Sequence, residues 1–234
     1  MLSLFLPQDP APTRILCLGA HSDDIEIGCG ATLLTLLSAR EAEVLWVVFS
    51  AAELRAREAQ QSARLFLKDA RHATVTVRTF RDGFFPYIGG EIKEYFEELS
   101  RQFSPDMIFT HYRHDRHQDH RVISDLAWNT FRDHLIVEYE IPKYDGDLGV
   151  PNLFVPIDRA CAHRKVRHLR SAFASQKDRH WFTDDTFLGL MRLRGLESCA
   201  PDGFAEAFYV RKAVVQMRSP RVRSEPSRRR RRAS

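Results

Sequence analysis

Cysteine is scarce in this sequence, and its few residues show no functional spacing. Only four cysteines occur among the 234 residues, and no two of them form a CxxC pair. Small secreted folds depend on a dense disulfide framework, and cysteine-type zinc sites depend on closely spaced pairs. The sequence therefore predicts neither a disulfide framework nor a cysteine zinc site from Cys17, Cys29, Cys161 and Cys199.

Long hydrophobic runs are missing as well. The N-terminal stretch MLSLFLPQDPAPTR has no basic leader, and its apolar run stops at Pro7, so it does not resemble a secretory signal peptide. No stretch approaches the roughly 20 apolar residues that a transmembrane helix needs. We therefore expect a soluble, cytoplasmic protein without a membrane span.

Positive charge is concentrated at one end of the chain. Residues 218–234 contain eight arginines and a single carboxylate, Glu225. This stretch contributes +7 to a formal net charge of +4, which leaves −3 for residues 1–217. We predict a single domain over 1–217 and a basic, disordered tail over 218–234. An arginine run can bind nucleic acid, but the acidic remainder of the chain makes nucleic acid an unexpected partner.

Apolar segments typical of buried strands alternate with amphipathic segments typical of helices. Such alternation predicts right-handed crossovers and a Rossmann-like α/β fold, with a mostly parallel sheet and helices on both faces. The predicted strands cover 14–20, 43–50, 74–80, 106–111, 135–142, 152–157 and part of 205–217. The predicted helices cover 29–41, 54–70, 92–103, 119–135 and 161–175.

Acidic and imidazole side chains follow two of these strands directly. The stretch GAHSDDIEIGCG (19–30) follows the first strand, and HYRHDRHQDH (111–120) follows the fourth. Ligands of open parallel sheets bind outside the carboxyl ends of the strands. We therefore expect the two clusters to meet at one edge of the sheet.

The residue types in these clusters suit a catalytic metal site. His21 and Asp24 are three residues apart, and a third ligand from the second cluster would leave an open position, as in catalytic zinc sites. Zinc lowers the pKa of its bound water to about 7. The neighbouring Asp23 could then take a proton from that water, and a histidine of the second cluster could stabilise an oxyanion. Asp119 could orient a ligating imidazole.

Other interpretations of these stretches are weaker. GCGAT suggests a dinucleotide-binding turn, but its third glycine is absent and the glycines come well after the strand. We interpret it instead as a tight helix start against the sheet. His111 and His114 are interpreted as structural or rim residues rather than ligands, and Asp115 as a hydrogen-bond anchor of its loop.

The motifs in and around the two clusters resemble those of a known protein family. HSDDIEIGCGATL resembles the HPDDxExGCGGTL signature of the LmbE-like (PIG-L) N-deacetylases, and DRHQDHRVISD resembles their DxHxDH motif. RAREAQQSARLFL is similar to the family's RxxExxxAxxxLG helix, and EYEIP, PNLFVPI and FAEAFYVRK are similar to later family blocks. The likeness covers about residues 14–213. In two places the sequence departs from the signature: Ser22 replaces a proline and Ala31 replaces a glycine.

The resemblance implies the LmbE-like deacetylase fold and metal-dependent hydrolysis of an N-acyl bond, usually the acetamido group of an aminosugar such as N-acetylglucosamine. It implies one Zn²⁺ per chain, or another divalent metal. Carried over to this sequence, the resemblance implies that His21, Asp24 and His120 bind zinc and that Asp23 is the general base. His117 would assist the oxyanion or the leaving amine, oriented by neighbours such as Asp119. Arg55 and Asp82 would contact the substrate.

Two further functions stay open from the sequence. An amidase of a thiol–sugar conjugate would use the same site with different substrate contacts. A nucleic-acid-associated binding protein would use the arginine tail instead. Assembly into a homo-oligomer is compatible with the sequence, which does not decide it.

Overall fold

The computed structural model describes residues 3–4 and 11–215. The predicted arginine-rich tail over 218–234 lies outside this range, so the proposed division at residue 217 stays a prediction. Over the described residues, the helices and strands are β1 (Thr13–Gly19), α1 (Asp24–Ala39), β2 (Ala42–Val48), α2 (Glu53–Phe66), β3 (His72–Val77), α3 (Gly89–Gln102), β4 (Met107–His111), α4 (Gln118–Thr130), β5 (Leu135–Tyr139), β6 (Leu153–Ile157), α5 (Arg159–Ala172), α6 (Asp184–Glu197) and β7 (Phe204–Tyr209).

These strands form one sheet in the order β3-β2-β1-β4-β5-β7-β6. The first five positions are joined by parallel pairings, whereas β7 pairs antiparallel with both β5 and β6. The order reverses between β1 and β4, which both leave the sheet at the same edge. In doubly wound folds such a switch point is where ligands bind.

Helices cover both faces of the sheet, and successive side chains of β1 point to these two faces in turn. Ile15 and Cys17 contribute to a core beneath α1, α2, α5 and α6. Leu16 and Leu18 contribute to a second core beneath α3 and α4. This arrangement confirms the predicted fold class of a mostly parallel α/β sheet with helices on both faces.

The first helix begins five residues earlier than the predicted start at 29. Residues 24–34 are almost entirely buried, so the sequence shows no polar face there that would indicate a helix. The helix bends at Cys29, whose φ and ψ are −139° and 16°. Beyond the bend, the carboxylate of Glu206 accepts hydrogen bonds from the backbone N–H groups of Ala31 and Thr32, at 3.0 and 2.6 Å. A side chain from β7 thus replaces helix hydrogen bonds lost at the bend.

The C-terminal part of the chain completes the same sheet and contains a helix that the sequence did not predict. In α6 the apolar residues do not form a single stripe: Phe187 and Met191 are buried, whereas Leu193 and Leu196 are exposed. Periodicity therefore gave no helix there. The helix packs on β7, the strand that carries Glu206.

Candidate metal centre

The two predicted clusters meet at the carboxyl edge of β1 and β4. These strands are paired directly, with Cys17 opposite Phe109. Immediately beyond them, the backbone N–H of Ala20 donates a hydrogen bond to Nε2 of His111, at 2.9 Å. This contact joins residues that are 91 positions apart and brings the loop after β1 against the loop after β4.

Three side chains from the two loops converge on one point. His21 Nδ1 lies 3.2 Å from His120 Nε2 and 3.4 Å from Asp24 Oδ2. His120 Nε2 lies 3.6 Å from Asp24 Oδ1. A tetrahedral zinc ion with bonds of about 2.0–2.1 Å places its ligand atoms roughly 3.3–3.4 Å apart. The two ring nitrogens and the Asp24 oxygen nearest to each of them are thus 3.2–3.6 Å apart, close to the spacing that a tetrahedral metal requires of its ligand atoms.

The protonation of the two rings supports the same interpretation. His120 Nδ1 lies 2.9 Å from Asp115 Oδ2, so the ring proton is favoured there and Nε2 carries a lone pair. His21 Nε2 faces Asp82 Oδ1 at 3.0 Å and Asp119 Oδ2 at 3.4 Å, which favours a proton on Nε2 and a lone pair on Nδ1. With both rings neutral, two lone pairs and a carboxylate oxygen would face one another, and a proton or a metal cation between them would relieve their repulsion.

Histidine and carboxylate side chains around this point form overlapping groups that could hold an ion. Three such groups occur among the described residues: His21, His117 and His120; Asp24, His111 and His120; and His21, Asp82 and Asp119. Every member lies in or beside the two predicted clusters. In the second group, the Nε2 lone pair of His111 already accepts the Ala20 N–H, which disfavours His111 as a ligand.

The pKa values of the three predicted ligands reflect a charge shared among them. Burial alone would lower the pKa of His21, but Asp24, Asp119 and Asp82 outweigh it and raise that pKa well above the usual value. Burial alone would raise the pKa of Asp24, but His120, His111 and His21 hold it well below its usual range. Burial, reinforced by His111, lowers the pKa of His120 to about 3. In the absence of a metal, these pKa shifts thus favour one proton, on His21, at the position where a metal cation would fit.

Each of the two imidazoles predicted to bind the metal contacts a carboxylate from the DRHQDH motif. Asp115, which the sequence placed as a loop anchor, accepts both the His117 backbone N–H at 2.7 Å and the His120 ring. Asp119 faces His21 and accepts the backbone N–H groups of Gly83 and Phe85, at 2.7 and 3.1 Å. Each aspartate therefore supports both the orientation of one imidazole ring and the conformation of a loop.

Asp23, the predicted base, lies beside the cluster and pairs with the predicted substrate residue Arg55. The Arg55 guanidinium is 2.9 Å from Asp23 Oδ1 and 3.0 Å from Glu58 Oε2. Burial raises the pKa of Asp23, and Arg55 opposes that rise. Glu58 in turn accepts hydrogen bonds from the backbone N–H and hydroxyl of Ser175, at 2.8 and 2.6 Å. No pattern in the sequence indicates this contact with the C-terminal part of the chain.

His117 and Asp82 lie at the more open side of the cluster. The ring of His117 is 4.8 Å from that of His21 and 4.6 Å from that of His120. Burial and the neighbouring His21 lower the pKa of His117, so its neutral form is favoured. The side chain of Asp82 is 73% exposed, which leaves its carboxylate accessible beside His21. His114, in contrast, is exposed and packs against Tyr112.

Lys143 is a further residue of this region that sequence reasoning missed. Its ammonium group lies 3.0 Å from Asp115 Oδ2 and 2.5 Å from Asp147 Oδ2. Only the run of charges in PKYDGD hinted at a buried ion pair, and such runs are usually solvated. The lysine thus connects the segment after β5 to the aspartate that supports His120.

These features define a Rossmann-like α/β protein with a candidate metal centre at the switch point of its sheet. Residues 16–131 match the PIG-L family model, described as GlcNAc-PI de-N-acetylase. The chain belongs to this PIG-L, or LmbE-like, family. The family description supports a hydrolytic deacetylase as the class of enzyme. No curated protein sequence matches the chain significantly.

Solved structures share the fold at low sequence identity. N,N'-diacetylchitobiose deacetylase from Pyrococcus horikoshii is 21% identical, with a TM-score of 0.65 over 85% of this chain and 83% of that one. The zinc-inhibited form of teicoplanin deacetylase is 15% identical, with a TM-score of 0.67 over 85% and 97%. The 4-carboxy-2-hydroxymuconate hydratase GalB from Pseudomonas putida is 15% identical, with a TM-score of 0.68 over 89% and 100%. One fold thus carries more than one reaction, and the site must decide the chemistry.

Within 3–4 and 11–215, no helix combines sufficient length with sufficient apolar character to span a bilayer.

Proposed function

We propose that this protein is a zinc-dependent hydrolase that removes an N-acetyl, or more generally an N-acyl, group from an aminosugar-containing small molecule. The products are acetate and a free amine. The observation that carries the proposal is the convergence of His21, Asp24 and His120 within 3.2–3.6 Å at the positions of two family motifs. A cytoplasmic location stays a prediction, and assembly into a homo-oligomer stays open.

His21, Asp24 and His120 would hold the metal, with Asp115 and Asp119 orienting the two rings. Zinc bound there would supply a Lewis acid and a water molecule with a pKa near 7. The three ligands leave an open side, and the chain's own residues on that side determine which reaction the water undergoes.

Asp23 is the residue suited to accept the proton of the attacking water. It is next to Asp24 in the chain and almost fully buried. Burial favours its protonated form, whereas the hydrogen-bonded guanidinium of Arg55 favours the carboxylate. These opposing effects let one carboxyl group both accept and return a proton.

His117 is the residue suited to stabilise the oxyanion or protonate the leaving amine. Its Nδ1 accepts the backbone N–H of Asp119 at 3.3 Å, as the N-cap of α4. The ring proton of the neutral imidazole is therefore favoured on Nε2. An N–H held beside the two ligating rings is a donor fixed in advance, and such donors stabilise developing negative charge.

Arg55 and Asp82 are proposed to contact the sugar. Asp82 presents an exposed carboxylate that can accept hydrogen bonds from sugar hydroxyls. Arg55 is held by Asp23, Glu58 and the ring of Phe173, whose centroid is 5.2 Å from the guanidinium carbon. Its orientation is thus fixed before a substrate arrives, which reduces the entropy cost of binding.

The proposal is tested by combining metal analysis with product detection. We would measure zinc per chain and the acetate and free amine released from a panel of N-acetylated aminosugars and thiol–sugar conjugates. We expect about one zinc per chain, which His120→Ala loses. His114→Ala is the matched control, because His114 belongs to the same motif but is exposed.

The outcomes separate the competing functions. Release from simple N-acetylaminosugars supports the proposed deacetylase, whereas release only from thiol–sugar conjugates favours the amidase. Zinc binding without acetate release from any substrate would sink the deacetylase assignment. Absence of bound zinc in the unaltered protein, even after zinc is added back, would overturn the metal centre. Nucleic-acid binding that survives removal of 218–234 would point to a different class of protein.

A further inference from the structure

The ammonium group of Lys143 lies between two carboxylates in the segment that follows β5. Its side chain is 13% exposed, and the carboxylates of Asp115 and Asp147 are 2% and 7% exposed. Nζ also lies 3.5 Å from the carbonyl oxygen of Ile141. An ammonium group has three donors and no acceptor, so these three oxygens account for all of them.

Lys143 contacts Asp115, and Asp115 in turn contacts the predicted metal ligand His120. The same oxygen, Oδ2, is 3.0 Å from Lys143 Nζ and 2.9 Å from His120 Nδ1. Two N–H donors therefore share one carboxylate oxygen, one from the start of α4 and one from the segment after β5. The ammonium group thus forms an ion pair with the same carboxylate that contacts the ring of His120.

Asp147 provides a second contact between the segment after β5 and the loop after β4. Its Oδ2 accepts the backbone N–H of Arg116 at 2.7 Å and is also the oxygen nearest to Lys143 Nζ. The segment after β5 thus contacts the second motif at two successive residues, Asp115 and Arg116. Such a double contact fixes the distance between the two segments as well as their charge pairing.

The far end of the segment is anchored too. The backbone N–H of Gly149 donates to the hydroxyl of Tyr209 at 3.0 Å, and Arg194 donates to the carbonyl of Gly149 at 3.1 Å. Arg194 is itself held by Glu140 at the end of β5. The segment 143–149 is therefore held at both ends, and Lys143 occupies a defined position.

We propose that Lys143 is a positioning residue of the metal centre, which holds Asp115 against His120 and makes the segment 143–149 a structural part of that centre. This inference rests on the metal site of the proposed function. Without the ammonium group, Asp115 and Asp147 would face each other as two nearly buried carboxylates. Their repulsion would draw Asp115 away from His120 and release the orientation of that ring.

The test measures metal affinity rather than activity. Zinc binding to the metal-free full-length chain would be followed by competition with a chromophoric chelator. We expect Lys143→Met to weaken zinc binding by roughly 10- to 100-fold, the range found when a residue supporting a metal ligand is removed. Lys143→Arg retains a cation between the carboxylates and should restore most of the affinity.

A second buried lysine provides the matched control. Lys165 lies 2.6 Å from Glu206 Oε1, and its side chain is 3% exposed. Lys165→Met also removes a buried ion pair, but at the bend of α1 and not at Asp115. We expect this variant to lose stability towards urea while it keeps its zinc affinity. The visible absorption of the cobalt-loaded proteins should likewise change in Lys143→Met and not in Lys165→Met.

The possible results are distinguishable. Zinc affinity and a cobalt spectrum of Lys143→Met equal to those of the unaltered chain would overturn the inference while leaving the metal centre intact. Absence of zinc binding in the unaltered chain would overturn the metal centre and the inference together. If Lys143→Met fails to fold, Lys143→Gln supplies the test. It removes the positive charge between the two carboxylates but keeps a hydrogen-bond donor, and a loss of zinc affinity in the same direction is expected.

Discussion

The imidazole ring of His111 lies flat against that of His120, with centroids 3.9 Å apart and planes inclined by 19°. His111 is fully buried at the end of β4. Its Nε2 accepts the Ala20 N–H and lies 3.3 Å from Asp24 Oδ2. His111 thus contacts the predicted ligands His120 and Asp24, and it fixes the backbone at Ala20, just before the third predicted ligand. The structure therefore places His111 inside the site rather than at its rim.

Substitution of His111 separates its two contributions. His111→Phe keeps a flat ring against His120 but leaves the Ala20 N–H buried without an acceptor, which costs about 1–3 kcal/mol. His111→Gln can retain the acceptor but loses the ring packing. We expect the phenylalanine variant to show the larger loss of unfolding free energy in urea, together with weaker zinc binding. Unchanged stability of His111→Phe would contradict this account.

Asp23→Asn should separate catalysis from metal binding. The amide cannot accept the proton of water, and general-base catalysis typically contributes about 10²- to 10⁴-fold to the rate. We therefore expect a fall of that order in kcat on the best substrate, with zinc content unchanged. The matched substitution Asp24→Asn should instead lower zinc content. Loss of zinc in Asp23→Asn would assign Asp23 to metal binding.

The position of the site could be predicted from the sequence because it depends on strands. RILCLGA ends just before His21 and DMIFTH ends at His111, and their apolar character marks them as buried strands. Two such strands in a parallel sheet bring the loops that follow them to one edge. The roles of individual residues in HSDD and DRHQDH came from the family resemblance, and their assignment stays a proposal.

The supporting contacts could not be predicted because they depend on tertiary packing. Lys143 and Asp115 are 28 residues apart, and Glu58 and Ser175 are 117 apart. Neither pair lies on one helix face or on directly opposed strand positions, so no periodicity links them. The early start of α1 could not be predicted for a related reason. Asp24 and Glu26 are polar residues in a part of the helix that is buried on all sides, and such residues usually indicate a loop.

The stability of the protein should depend on pH through His168. This ring on α5 packs edge-on against Phe66, with centroids 5.3 Å apart. Burial, followed by repulsion from Arg164 and Arg167, lowers its pKa. As the pH falls through about 6.5, the unfolded chain therefore takes up a proton before the folded chain does, and stability is lost.

His168→Gln removes this proton uptake. The stability of the unaltered protein relative to the variant should therefore be lower at pH 5 than at pH 8, as measured by urea unfolding at both values. His72→Gln, at an exposed position on β3, is the control for general effects of pH. A difference between His168→Gln and the unaltered protein that stays constant with pH would refute the prediction.

Glycine at position 28 is required by the close approach of α1 to β5. A Cβ atom there would overlap the ring of Tyr139, which is fully buried and donates its hydroxyl to the Leu18 carbonyl at 2.6 Å. The ring cannot move without losing that bond, so we expect Gly28→Ala to lower the unfolding free energy by about 1–3 kcal/mol.

Gly189→Ala is the matched control, since this glycine lies in α6 with nothing within 4 Å of the added Cβ. There the substitution only improves helix propensity, and we expect a gain of about 0.5–1 kcal/mol. Urea unfolding of the two variants should therefore give shifts of opposite sign. Equal shifts would mean that α1 can move away from β5 and that the packing of Gly28 against Tyr139 does not limit stability.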